Sequence, residues 1–342
     1  MMGMITIDGS MGEGGGQVLR TSLSLSLVTG AGVRFVNLRA GRKKPGLLRQ
    51  HLACVEAARI VGDAEVKGAE LGSRELLFRP RALKGVNCTF SVGTAGSACL
   101  VFQTVLPALL FAKEPSSLVL EGGTHNPMAP PFEFLAETFL LQLARMGAKV
   151  TVALSSAGFY PAGGGRFQAT IEPVTSLERL DLEARGGPPD VSIRALVANL
   201  PWSIGERELR AARSRLELPD APGKVVVVPS PGPGNALLVV VEGDRVREIF
   251  AAFGEKGTSA ENVARRAAGE ARRVLEAGVP VGEYLADQLL VPMALGSGGI
   301  LRTVKPSLHT ETQLALLPLF LPIEPRVTRA GEDEYILEIS RK

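Results

Sequence analysis

The sequence predicts an α/β protein, in the broad α+β sense, built from one unit used three times with a smaller α/β unit inserted late in the chain. Three observations carry this. Glycine-led turns precede apolar helical stretches at Gly12, Gly93 and Gly282; a second helix of a different style follows each; and the turns are unevenly spaced. Gly12 and Gly93 lie 81 residues apart whereas Gly93 and Gly282 lie 189 apart, an excess of 108 that is about one small domain. Residues 185–277 supply that excess, bracketed by ARGGPPD and AGVP, which read as linkers. The expected division is residues 1–184 with 278–342 as the three-repeat body and 185–277 as an inserted α/β domain.

Taken in order, the alternating MITID is a strand, and a helix is expected from about Gln17 to Val28, with Gly30 placed to end it. VGTAGSACLVFQTVLPALLFA and VGEYLADQLLVPMALGSGG repeat the pattern of glycine turn and apolar helix, each with a glutamine in it. The second helices are GLLRQHLACVEAARIVG (46–62), PPFEFLAETFLLQLARMGA (130–148) and TETQLALLPLF (310–320). Within 185–277 the order is strand (VSIRALVANL), helix (ERELRAARSRLEL), strand (KVVVV), a strand pair (ALLVVV, RVREIF) and a long helix (SAENVARRAAGEARRVLEA).

Composition narrows the function. A chain of 342 residues with 45% hydrophobic and 21% charged content is an ordinary globular protein of about two domains. Its net charge of +3, from 38 basic and 35 acidic residues, argues against a sequence-independent nucleic-acid clamp, so an anionic partner must be met by a local patch. Three cysteines with no C-x-x-C spacing read as free, mostly buried thiols of a reducing compartment. The first residues show no secretory signal pattern and no apolar run reaches membrane-spanning length, so a soluble cytoplasmic protein is expected.

No P-loop, Rossmann or H-E-x-x-H pattern is present. In the first loop, consecutive glycines can turn backbone N–H groups toward an anion at a helix start, and Arg20 lies one turn into that helix. A lone carboxylate there would repel phosphate unless a divalent cation lay between them, which makes Glu13 a candidate magnesium ligand; a tight turn with an exposed glutamate is the plainer alternative. The most basic stretch, RAGRKKPGLLRQH, holds Arg39, Arg42, Lys43, Lys44 and Arg49, and arginine forks suit phosphate oxygens. His51 is either a core histidine or one at a site margin. Tyr284, Asp287 and Gln288 share a helix face and could hold a purine by stacking and edge hydrogen bonds, or simply begin an amphipathic helix. Thr310 and Gln313 form a T-x-x-Q capping box, which would put His309 just outside a helix N-terminus. The dipole there disfavours imidazolium and attracts phosphate, so His309 is either a nucleophile toward phosphorus or a helix staple. The shared theme is phosphate-friendly groups at turns before helices, hence a nucleotide or another phosphorylated ligand.

GEGGGQVLRTSLSLS, RAGRKKPGLLRQHL, GTAGSACLVFQTVLPAL, GFYPAGGG, GPGNA, GEKGTSAE and VGEYLADQLLVPMAL, in this order, resemble the RNA 3′-terminal phosphate cyclase family over about residues 4–340. The resemblance implies three repeats, each a four-stranded sheet with two helices, and an inserted α/β domain. It implies an ATP-dependent reaction in which a histidine takes up AMP, passes it to an RNA 3′-phosphate and leaves a 2′,3′-cyclic phosphate. By motif match the nucleophile is His309. Adenine and ribose contacts fall on Gln103, Pro131 and the turn Tyr284, Leu285, Ala286, Asp287, Gln288. Glu13 would hold Mg2+ or Mn2+, and Arg20, Arg39, Arg42, Gln50 and His51 would line the phosphate and RNA surface. The implied partner is RNA with a 3′-phosphate end, with neither membrane nor protein partner. Ala157 stands where many members carry a basic residue, and His125 where others can have an acid. A non-catalytic cyclase-like scaffold of ribosome biogenesis and an enolpyruvyl-transferase-like enzyme are the alternatives; the family's scaffold branch lacks the histidine found here at 309.

Overall fold

In a computed structural model that describes residues 3–342, the chain forms four four-stranded sheets with helices packed against them. The first unit runs β1 (Met4–Asp8), α1 (Gly16–Thr29), β2 (Gly32–Val36), α2 (Arg49–Gly62), β3 (Glu65–Lys67) and β4 (Leu76–Arg79). The second runs β5 (Asn87–Ser91), α3 (Ala98–Leu109), β6 (Ser116–Gly122), α4 (Phe132–Phe134) extended by a π-helical turn (Leu135–Phe139) into α5 (Leu140–Arg145), then β7 (Lys149–Ser156) and β8 (Gly165–Glu172). A third unit starts with β9 (Leu180–Leu182). It resumes only after β10 (Asp190–Ala198), α6 (Trp202–Leu216), β11 (Gly223–Val227), β12 (Gly234–Glu242), β13 (Arg247–Phe253) and α7 (Ala260–Ala277). Its remainder is α8 (Glu283–Leu295), β14 (Gly299–Thr303), α9 (Leu308–Leu316), a 3-10 turn (Leu317–Leu319), β15 (Ile323–Arg329) and β16 (Tyr335–Arg341).

Three of the sheets share one topology. Each has two parallel strands joined through a helix, then an antiparallel pair, in the order β1-β2-β4-β3, β5-β6-β8-β7 and β9-β14-β16-β15. A parallel pair needs a crossover, and the apolar helices α1, α3 and α8 supply it. In the third sheet Leu180 still pairs with Gly299, although residues 183–298 lie between them. The fourth sheet has a different order, β11-β10-β12-β13, and is covered by α6 and α7.

One core runs through the three similar units, with Val18, Leu23, Phe35, Phe102, Leu120 and Leu289 buried together. The fourth sheet has its own core around Leu237, Val239, Phe250 and the alanine face of α7. A third cluster joins Ala157 and Phe159 to Leu196, Leu238 and Ile249, so the fourth sheet is seated against the second unit. The helix expected over 130–148 differs in detail. Pro130 and Pro131 delay its start to Phe132, and the π-helical turn sets Phe134 and Phe139, five residues apart, toward the same cleft.

Candidate active site

The glycine loop after β1 is stitched to α9. Ser10 donates through its backbone N–H and its hydroxyl to the Asp8 carboxylate, which starts the turn. Gly12 then sits at φ 57 with no room for a Cβ beside the Thr312 side chain. The Glu13 N–H donates to Thr312 Oγ1 at 2.9 Å, and that hydroxyl donates to Leu308 O at 2.6 Å. Glu13 is thereby buried at the start of α1, ion-paired to Arg42, with Oε1 3.7 Å from His309 Nδ1.

His309 is the second residue inside α9, and this corrects the expected capping box. Ser307 is the N-cap, its hydroxyl accepting from the Thr310 N–H at 3.2 Å. Serine outranks threonine as a cap and follows Pro306, which cannot itself continue a helix backward, so the helix starts three residues before Thr310 could begin it. Thr310 is fully buried and Gln313 is engaged elsewhere.

A buried amide chain fixes the imidazole. Gln17 donates from Nε2 to Asp287 Oδ1 at 2.6 Å and turns Oε1 to His309 Nδ1 at 2.8 Å. An amide oxygen only accepts, so Nδ1 carries the proton and the Nε2 lone pair is free. Gln313 donates to the Asp287 carboxylate and, at 2.7 Å, to its backbone carbonyl. Burial pushes the Asp287 carboxyl above the usual range, opposed by these amide donors. Gln17, Asp287 and Gln313 are all buried, whereas the His309 side chain is 49% exposed. The reactive edge of the ring therefore faces solvent at the end of a fixed chain.

A cleft of about 380 Å³ opens beside it, within the range of small-molecule sites. Arg20, Gln103, Pro131, Tyr284, Asp287 and Gln288 line it together with His309. Gln103 donates to Gln288 Oε1, leaving its own Oε1 buried without a partner at the cleft wall. The Pro127–Pro131 strap, Phe134 and Phe139 form an apolar side, and Ile249, Ala251 and Phe253 of β13 close another. Leu285 and Ala286 do not line the cleft: their side chains are buried in the core, while Tyr284, Asp287, Gln288 and Val291, spaced three and four residues apart, are on the cleft-facing side of α8.

The basic residues divide. Arg20 and His51 converge over Gly16, where an added Cβ would lie 2.7 Å from Arg20 Nη1 and 2.6 Å from His51 Nε2. His51 Nδ1 accepts the Leu48 N–H at 3.0 Å, closing the start of α2. Burial first, then Arg20 and Arg39, pull its pKa down to about 3, so the ring is neutral and Nε2 is its donor. Arg42 stands at the rim, donating to the Glu13 carbonyl at 2.8 Å as well as to its carboxylate. Arg39 turns inward instead. Its guanidinium donates to Lys44 O and Gly46 O, both at 2.7 Å, and holds the shape of its own loop. Gln50 donates to Ser97 O at 3.1 Å, tying α2 to the start of α3. His125 is buried between Thr124 and Glu133, at 2.8 Å from each, and belongs to the core.

Among the described residues no three acidic, histidine or cysteine groups gather as a metal cage. Glu13 is a single carboxylate beside His309 and the α1 N-terminus. That donor set fits Mg2+ only in the shared manner, one carboxylate plus ligand phosphates, with Arg42 drawn off the carboxylate. Gln17 and Gln313 are site residues that the sequence reading treated only as a helix start and a cap.

Fold and site define an α/β enzyme of three similar units, with an oriented imidazole at the mouth of a half-apolar cleft. The family described as RNA 3′-terminal phosphate cyclase matches residues 11–327, and the chain belongs to that family. An RNA 3′-terminal phosphate cyclase of Koribacter versatilis is 50% identical over 323 residues, 94% of this chain and 91% of that protein. Those of Salmonella enteritidis and Ralstonia nicotianae are 45% and 46% identical, covering 99% and 98% of this chain and 100% and 96% of theirs. An EPSP synthase structure from Acinetobacter baumannii aligns over 52% of this chain and 49% of its own, at 12% identity and a TM-score of 0.26, a level at which no common fold follows. No described helix is long and apolar enough to cross a membrane.

Proposed function

We propose that this chain converts an RNA 3′-terminal phosphate to a 2′,3′-cyclic phosphodiester at the expense of ATP, with His309 as a covalent carrier of AMP. The observation that carries the reading is the Gln17 carbonyl on His309 Nδ1, which leaves the Nε2 lone pair at the cleft mouth. Nε2 attacks the α-phosphorus of ATP; the bond to the bridging oxygen breaks and pyrophosphate leaves. An oxygen of the RNA 3′-phosphate then attacks the same phosphorus and displaces the imidazole, giving an RNA(3′)pp(5′)A end. Finally the 2′-OH attacks the 3′-phosphorus, loses its proton, and AMP departs as leaving group. This last step is intramolecular, where orientation alone can be worth roughly 7–11 kcal/mol.

In this reading Tyr284 and Pro131 hold the adenine face, and Gln103 and Gln288 its polar edge and the ribose. Arg20 and His51 take the phosphates at the α1 N-terminus, where dipole and donors favour anions. Arg42 exchanges Glu13 for phosphate, and Arg39 and Gln50 keep the surrounding loops in place. Glu13 would hold Mg2+ or Mn2+, which when bound neutralises phosphate charge. Residues 1–184 and 278–342 form the catalytic body and 185–277 the inserted unit, and the protein works in the cytoplasm. Retention of His309 favours this over a non-catalytic scaffold.

The test is ATP labelled at the α-phosphate, with magnesium and a short RNA bearing a 3′-phosphate, for wild type and His309→Ala. A covalent AMP adduct in wild type alone, followed by a phosphatase-resistant RNA end, is the expected result. A 2′-deoxy end should be adenylated at most; its cyclisation would refute the mechanism.

A further inference from the structure

The first turn of α8 carries the face that meets the cleft, and three successive residues of that turn are held from residues 185–277. Gly282, its N-cap, donates its N–H to both carboxylate oxygens of Glu248 on β13, at 3.0 and 2.7 Å. A Cβ on Gly282 would lie 2.6 Å from Glu248 Oε1, so any larger residue there would have to displace the carboxylate. Glu283 is next. Arg273 of α7 donates to it at 3.2 Å while gripping Asp333, in the turn after β15, at 2.6 and 2.9 Å. The third is Tyr284, whose phenol lies near Glu270 of α7. Burial first, then the charges of Glu270 and Glu283, push that phenol up to about 12. The strand that supplies Glu248 also supplies Ile249, Ala251 and Phe253 to the cleft wall.

We propose that the inserted unit is a clamp on the nucleotide: Glu248, Arg273 and Glu270 are positioning residues that set the first turn of α8 and thereby the plane of Tyr284. None of the three lines the cleft. They act through Gly282, Glu283 and Tyr284, and so belong to nucleotide binding more than to the phosphorus chemistry. The proposal rests on the reading of Tyr284 as a base-stacking residue. Contacts between the insertion and the second unit, such as Arg145 to Asp244 O at 3.4 Å, lie away from α8 and serve as a comparison.

The experiment measures histidyl-AMP formation as a function of ATP concentration in wild type, Arg273→Ala, Glu270→Ala, Glu248→Ala, Glu248→Gln and Arg145→Ala. Amide exchange of residues 283–286 is followed without nucleotide. A displaced contact group remote from the chemistry costs up to about a hundredfold. The expected result is a KM for ATP raised about tenfold or more in Arg273→Ala and Glu270→Ala, with kcat within about twofold and faster exchange at 283–286. Glu248→Gln keeps an acceptor for the Gly282 N–H and should retain the wild-type KM even where Glu248→Ala fails to fold. Arg145→Ala should leave both readouts unchanged. Adduct formation in wild type with an unshifted KM in Arg273→Ala and Glu270→Ala would overturn the clamp alone. A wild type that forms no adduct with ATP would bring down the nucleotide reading and the clamp with it.

Discussion

His51 and His309 both sit in the first turn of a helix, and their neighbours assign them opposite tautomers. The Leu48 N–H donates to His51 Nδ1, so that ring keeps its proton on Nε2 and offers a donor over Gly16. The Gln17 carbonyl faces His309 Nδ1, so that ring keeps Nε2 bare. In the proposed function, one imidazole would bind an anion and the other would attack one. Gln17→Leu removes the acceptor and frees the wrong tautomer; AMP transfer to His309 should slow on the order of a hundredfold. Single-turnover label transfer at saturating ATP measures this, and an unchanged rate would mean that Glu13 or water orients the ring unaided. His51→Gln tests the other histidine. A glutamine at the third helical position can still accept the Leu48 N–H. The wild-type ring, held at about pKa 3 when folded and near 6.5 when free, makes the unfolded chain bind more protons between those values. Its contribution to stability is therefore present above pH 6.5 and lost as pH falls toward 3. Glutamine binds no proton, so His51→Gln should unfold at a lower pH in acid titrations followed by circular dichroism.

At the scale of elements, helix starts decide where the functional side chains stand. Ser307 caps α9 and fixes the turn in which His309 lies. Ser307→Ala should cost about 1 kcal/mol in urea unfolding, and should slow AMP transfer without raising the KM for ATP. A stability loss with undisturbed transfer would separate the cap from the site. The same scale shows what the sequence discloses. The repeated glycine turn followed by an apolar helix marks α1, α3 and α8 because it is local, and the uneven spacing of those turns marks the interruption of the third unit. Four helix starts were misplaced: α2 begins at Arg49 rather than Gly46 and α6 at Trp202 rather than Glu206, while at α4 and α9 proline and serine compete with the nominal cap, through Pro131 and Ser307. Tyr284, Asp287 and Gln288 were legible through helix periodicity, whereas Leu285 and Ala286 came with the motif and lie on the wrong side of the helix. The amide chain was not legible, since Gln17 and Asp287 are 270 residues apart and meet only when the first and third units pack. That the Arg39 guanidinium turns back to its own loop was not legible, because nothing in a basic run says which guanidinium does so.

Across the whole molecule, buried acids collect in the segment between β9 and α8. Burial, as the leading cause, pushes Glu208 of α6 up to about 7, Glu270 of α7 up to about 7 and Glu248 of β13 up to about 8. An unfolded glutamate titrates near 4.3, so between that value and about 8 the folded chain holds more protons than the unfolded one. Each of these groups contributes stability that is whole below the unfolded value and is lost as pH rises through its folded value. His51 contributes in the opposite sense, on the acid side. The melting temperature should therefore pass through a maximum at mildly acid pH and decline toward pH 8. Each buried glutamate can add up to about 1.4 kcal/mol per pH unit to that decline where the two states differ fully. Calorimetry from pH 5 to 9 measures the profile. Glu248→Gln, which keeps an acceptor for Gly282 and cannot ionise, should flatten the alkaline limb while retaining the melting temperature at pH 5. A limb equally steep in that variant would mean that Arg185, the cation acting on Glu248, already neutralises it in the folded state. Removal of the charge would then leave a half-buried guanidinium without its counter-charge and lower stability at every pH.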